Sequence, residues 1–148
     1  MLKSFATLIQ VAEAKTGDAT IKLVQLNARL TESEQKRVVL VNYRDEYRAR
    51  LDTATMRGAP MGEMSNFRDF LAKLDEAVVQ QEAAVAFWRD QMDSAHGRWQ
   101  TERRSLLSFT TLGARRDLVA RKARARQEQK QQDEFAANAG GLRMAFNE

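Results

Sequence analysis

Apolar residues recur at alternating intervals of four and three through the middle of the chain, at Phe67, Leu71, Leu74, Val78, Gln81, Val85, Trp88, Met92, Ala95, Trp99, Glu102, Leu106 and Phe109. Eleven of these thirteen positions are apolar and the rhythm never slips. A mean spacing of 3.5 residues holds one seam against a partner helix along a supercoil. An earlier stripe, Leu2, Phe5, Ile9, Ala12, Thr16, Ala19, Leu23, Leu26 and Leu30, has the same spacing. The sole proline lies between the two stripes, in Arg57-Gly58-Ala59-Pro60-Met61-Gly62. The pattern predicts an all-α fold, a long antiparallel two-helix coiled-coil hairpin.

The whole chain, 1–148, reads as this single hairpin. Helix one is expected over about residues 2–55, the loop over about 56–64, helix two over about 66–136 and a frayed tail over 137–148. Ser65 is the expected N-cap of helix two, and Gly140-Gly141 mark the frayed tail. Ser33 and Arg37 interrupt the first seam, which is expected to recover at Leu40, Tyr43, Tyr47 and Leu51. Antiparallel pairing puts residue i opposite roughly residue 120 − i, to about one turn. Trp88 then comes opposite Ser33, a bulky and a small residue sharing one layer. By the same count helix one ends near residue 118 of helix two, so the remainder of helix two overhangs.

Composition narrows the function. Charged residues make up 30% of the chain and aromatics 7%, which suits solvated helices better than a thick core. A hairpin with one seam has no evident closed pocket, so the chain is not expected to be an enzyme or to bind a small-molecule substrate. It has no cysteine and one histidine, His96, so no ordinary zinc site, other metal centre or cofactor is expected. Neighbouring carboxylates such as Asp45-Glu46, Asp75-Glu76 and Asp133-Glu134 point about 100° apart on a helix and make no acid–base pair. No catalytic residue is assigned. Lys3 before Phe5–Ile9, with Ala12-Glu13-Ala14, imitates a secretion signal. Gln10 breaks that apolar stretch and the helical stripe runs through it, so a cytoplasmic helix is the expectation.

Two stretches have features beyond the seam. Phe70, Leu74, Ala77 and Gln81 form a stripe offset from it, and with Leu40, Tyr43 and Tyr47 they widen the apolar surface near the loop. Apolar width of this kind marks a protein-binding face; simple packing with the tyrosine hydroxyls in water is an equally good reading. From Arg115 to Lys130 there are seven basic residues against Asp117 and Glu128. Arg121, Lys122, Arg124 and Arg126 form the centre of this run. A solvated helix face is its plainest reading, a protein-docking end the next, and nucleic-acid binding the third, since no aromatic platform or nucleic-acid motif accompanies it.

Leu40-x-x-Tyr43-x-x-x-Tyr47-Arg48, Phe70-Leu71-x-x-Leu74, Trp99 and Gln129-Lys130-x-x-Asp133-Glu134-Phe135 occur in this order after a Phe5-Ala-Thr-Leu-Ile start. In these features and in length the chain resembles the flagellar export protein family FliJ. It departs from the usual pattern at Lys36-Arg37-Val38-Val39 and at Gly140-Gly141.

The resemblance implies a soluble component of the flagellar type III export apparatus. Such a protein acts as a stalk that promotes assembly and activity of the hexameric export ATPase. It also contacts the membrane export gate protein and flagellar export chaperones, at the cytoplasmic face of the inner membrane. Carried onto this sequence, Leu40, Tyr43, Tyr47, Phe70, Leu74 and Ala77 would bind the gate. Arg115, Arg121, Lys122, Arg124, Arg126 and Lys130 would meet the ATPase. The equivalent stalk of a virulence injectisome and a basic coiled-coil nucleic-acid binder stay open as alternatives.

Overall fold

The computed structural model describes residues 4–146, so Leu2 and the last two residues of the expected tail lie outside the described residues. Two helices account for the fold: α1, Phe5–Arg57, and α2, Met61–Phe146. No strand occurs among the described residues. The chain divides into two units. One combines Met1–Ala14 with Arg103–Glu148, and the other is Lys15–Glu102.

Local sequence explains both helix ends at the turn. Gly58 has φ +72°, a conformation that costs glycine little and a side-chain-bearing residue more. Its N–H donates to the Thr55 carbonyl at 3.2 Å, and the Ala59 N–H donates to the Ala54 carbonyl at 3.0 Å. This pair of bonds is the Schellman closure, which satisfies carbonyls a helix end would otherwise leave bare. Pro60 follows and its carbonyl accepts from the Met64 N–H at 3.1 Å, so α2 starts at once. Arg57 closes the turn from outside, donating to Glu63 at 2.8 Å. Each charge sits at the helix pole that favours it, the cation at a C-terminus and the anion at an N-terminus.

The expected loop is therefore too long and the expected cap misplaced. Ser65 lies inside α2, because the glycine closure leaves only Gly58, Ala59 and Pro60 between the helices. At the far end α2 continues through Gly140-Gly141 to Phe146. Alanines, Leu142, Arg143 and Met144 around the two glycines are good helix formers, and they outweigh the glycine penalty. At the other terminus Ser4 caps α1, its Oγ accepting from the Thr7 N–H at 3.3 Å.

In the unit Lys15–Glu102 the helices pack antiparallel. Arg37 meets Glu82, Thr20 meets Trp99 and Arg44 meets Asp75, each within one residue of the 120 − i register. Every seam position of α2 from Phe67 to Trp99 is buried or half-buried. Val78, at 2% exposure, and Val85 are its best-covered members, and Leu26 and Ala54 supply the matching core of α1. Burying one such aliphatic side chain stabilises by roughly 1.5–3 kcal/mol.

The α1 rhythm continues through Ser33, Arg37, Leu40, Arg44, Tyr47, Leu51 and Ala54 without a slip. Tyr43 is consequently not a seam residue. It is 52% exposed, and Arg44 takes the seam position with its guanidinium 3.4 Å from Asp45 and 3.9 Å from Asp75. An arginine fits there because its stem lies along the apolar surface while the charge reaches water. The side chain bonded to Ser33 is Gln81, and the Trp88 ring carries the Arg29 guanidinium, 5.7 Å from its centroid.

In the unit of Met1–Ala14 and Arg103–Glu148, the α2 seam extends one position past Phe109, to the buried Gly113. A Cβ placed on Gly113 would lie 3.5 Å from Phe5 and 3.6 Å from Ile9, ordinary contact distances, so α1 packs here on a position that could also hold alanine. Continuing the rhythm, the next seam positions are Arg116, Ala120, Ala123, Gln127 and Lys130. Only Ala120 and Ala123 among these are apolar, burial stops at Gly113, and residues 114–138 are all exposed.

Candidate partner-binding surfaces

The aromatic patch is built in the unit Lys15–Glu102. Tyr47 projects from α1 at a seam position and meets two rings of α2. Its centroid lies 4.5 Å from that of Phe70 and 6.3 Å from that of Phe67. Both pairs are tilted, an arrangement aromatic quadrupoles favour over face-to-face stacking. Arg50 lies over Tyr47 at 5.2 Å, where the negative ring face attracts a cation. Phe70 stays 42% exposed. The cluster is thus half core and half surface.

Leu40, Leu74 and Ala77 are half-buried along the seam side of the same unit. The structure brings Tyr47 and Phe70 together, leaves Tyr43 exposed, and places Leu40, Leu74 and Ala77 more as packing than as surface. The sequence reading missed Phe67, which it took for a seam residue alone, and Arg50. A helical spacing of three from Phe67 to Phe70, with Arg50 three residues beyond Tyr47, was the available signal. Arg44 and Arg48 both approach Asp75, at 3.9 and 3.7 Å, so a charged rim borders the rings.

The basic segment belongs to the other unit. Arg115, Arg121, Lys122, Arg124, Arg126 and Lys130 are all exposed on α2. Among the described residues none of the six forms an ion pair. At about 100° per residue, Arg115, Lys122 and Arg126 share one narrow face, with Lys130 close beside it. Arg121 and Arg124 point to the opposite side. The segment therefore presents positive charge around much of its circumference rather than along one stripe. Arg116, left out of the predicted set, lies over the Phe5 ring at 5.5 Å and joins the basic segment to the start of α1.

Among the described residues no cluster of three or more His, Cys, Asp or Glu side chains is placed to hold a metal ion. Also among them, no helix is long and apolar enough to cross a membrane. No buried side-chain nitrogen or oxygen of the described residues lacks a hydrogen-bond partner.

Comparison with known proteins agrees with the geometry. The family described as "Flagellar FliJ protein" matches residues 1–144. The flagellar FliJ protein of Salmonella typhi is 29% identical over 133 residues, covering 90% of each chain. That of Escherichia coli (strain K12) is 29% identical over 136 residues, covering 92% of each. A match of this extent includes both helices, the turn, the aromatic cluster and the basic segment. The chain belongs to the flagellar FliJ protein family.

Proposed function

We propose that this protein is a cytoplasmic component of the flagellar type III protein export apparatus. In this reading it is a non-enzymatic stalk that promotes assembly and activity of the hexameric export ATPase. It also contacts the membrane export gate protein and export chaperones at the inner face of the membrane. The observation that carries the reading is the exposed basic segment of α2, which continues past the last buried seam position with no ion pair of its own among the described residues. A helix that leaves its seam and keeps its charge exposed is suited to entering a protein that supplies acidic groups.

The aromatic cluster around Tyr47 and Phe70 is the proposed gate contact, with Tyr43 beside it as an exposed ring. Aromatic side chains with a half-buried base and an exposed edge are the residues that dominate protein interfaces. Flagellar relatives favour the flagellar apparatus over an injectisome as the setting.

ATP hydrolysis by the cognate flagellar export ATPase, with and without the protein, tests the reading. Stimulation that is lost when Arg121, Lys122, Arg124 and Arg126 are all replaced by alanine supports it. Absence of stimulation under conditions where the ATPase forms hexamers contradicts it. The same basic segment makes nucleic-acid binding the second reading. That reading requires affinity that falls steeply with salt, about one power of salt concentration per phosphate contact.

A further inference from the structure

A second stripe at four–three spacing runs along α1 within the unit Lys15–Glu102: Gly17, Ile21, Val24, Ala28, Thr31, Gln35, Val38 and Asn42. None of these eight positions is charged, in a chain that is 30% charged, and the stripe ends at Asp45. All eight are exposed, with Ile21 at 58%, Val24 at 65% and Val38 at 54%. At 100° per residue its centre lies roughly 150° from the seam that α2 covers, so it occupies the back of α1. A shallow groove lined by Thr31, Glu34, Gln35, Val38 and Val39 lies along it.

A solvated helix face has no reason to exclude charge for four heptads, whereas a helix-docking face does. The flanks specify the occupant further. On one side of the stripe lie Asp18, Gln25, Glu32 and Val39, and on the other Thr20, Asn27, Glu34 and Val41. Every charge among these flanks is acidic. Such flanking positions form the interhelical salt bridges that choose a coiled-coil partner. Glu32 and Glu34 at present hold Lys36 and Arg89 at 3.4 and 3.3 Å, exposed pairs that contribute little in water and are readily exchanged.

We propose that the back of α1, from Gly17 to Asn42, is a docking face for an amphipathic helix of a partner protein. That helix carries an uncharged stripe at four–three spacing with lysine or arginine on both flanks. The face is separate from the aromatic cluster and from the basic segment of α2, so the inference does not depend on the roles proposed for them.

The test uses the full-length chain and a synthetic helix of about four heptads with Ile and Leu on its stripe and Lys on both flanks. A counterpart with Glu on the flanks and a scrambled Lys peptide of the same composition serve as controls. Fluorescence anisotropy is expected to show the Lys-flanked helix binding, with the Glu-flanked and scrambled peptides at least about tenfold weaker. Replacing Ile21→Glu and Val38→Glu together is expected to weaken binding by about tenfold or more and, because both are exposed, to leave the helical circular dichroism unchanged. Equal binding of the three peptides overturns the proposal, as does insensitivity to the double substitution. Sedimentation of the chain alone as a dimer that the double substitution dissociates also overturns it, since the face is then covered by a second copy.

Discussion

Gln81 donates from its side-chain amide to both the Oγ and the backbone carbonyl of Ser33, at 2.9 and 2.8 Å, across the seam of the hairpin. Ser33 is 5% exposed, the one polar residue that reaches the core among the described residues. In the 120 − i register Gln81 lies beside Arg37 and its side chain reaches about one turn along the seam to Ser33, so a shift of register would leave both polar groups unpaired. Ion pairs from Arg37 to Glu82 and from Arg89 to Glu34 surround the layer and agree with the same register.

This layer should trade stability for specificity. Gln81→Ala strands the Ser33 hydroxyl and is expected to cost about 1–3 kcal/mol. Ser33→Leu with Gln81→Leu together is expected to match or exceed the parent in thermal stability while broadening its association states. Thermal denaturation followed by circular dichroism, beside sedimentation equilibrium, reads both effects. A double variant that is both less stable and uniformly associated would show that the layer contributes stability and not register.

Glycines 58 and 113 should respond oppositely to alanine. Gly58 has positive φ, so Gly58→Ala is expected to destabilise by about 1 kcal/mol although nothing crowds its Cβ position. Gly113 is helical, and a Cβ there meets Phe5 and Ile9 at ordinary contact distance. Gly113→Ala is expected to stabilise by up to about 1 kcal/mol through helix propensity. Urea denaturation of both variants checks the signs.

The two tyrosines should separate core from surface. Tyr47→Ala removes contacts with Phe67, Phe70 and Arg50 and is expected to cost about 2–4 kcal/mol. Tyr43→Ala, at an exposed position, is expected to stay within about 0.5 kcal/mol of the parent. If the proposed gate contact is correct, Tyr43→Ala nevertheless weakens gate binding, measured by titration calorimetry, without weakening ATPase stimulation.

The seams were legible because a helix pair can bury only one stripe each, and that stripe is written directly in residue spacing. The same logic, followed through identity instead of count, went astray at Tyr43: the ring looked like core, but the rhythm assigns the position to Arg44. The turn was misread for a similar reason. Ser65 has the chemistry of a cap, yet Gly58 had already closed α1 and Pro60 could open α2 immediately. The basic segment was recognisable as charge on helix, while its lack of ion pairs emerges only from three-dimensional placement. Ring packing between Tyr47, Phe67 and Phe70 depends on which α2 residues fall opposite Tyr47, and a register estimated to one turn cannot choose between them. The Ser33–Gln81 bond was hidden for a different reason: the Gln81 side chain reaches about a turn along the seam, which a pairing of opposite residues does not anticipate.

The central claim rests most directly on ATP hydrolysis by the cognate export ATPase in the presence of this protein and of its Arg121/Lys122/Arg124/Arg126-to-Ala variant. The account predicts stimulation by the parent chain and its loss in a variant that keeps its helical circular dichroism. Equal stimulation by both chains would contradict the assignment of the basic segment. No stimulation by either, with the ATPase assembled as a hexamer, would contradict the stalk role itself.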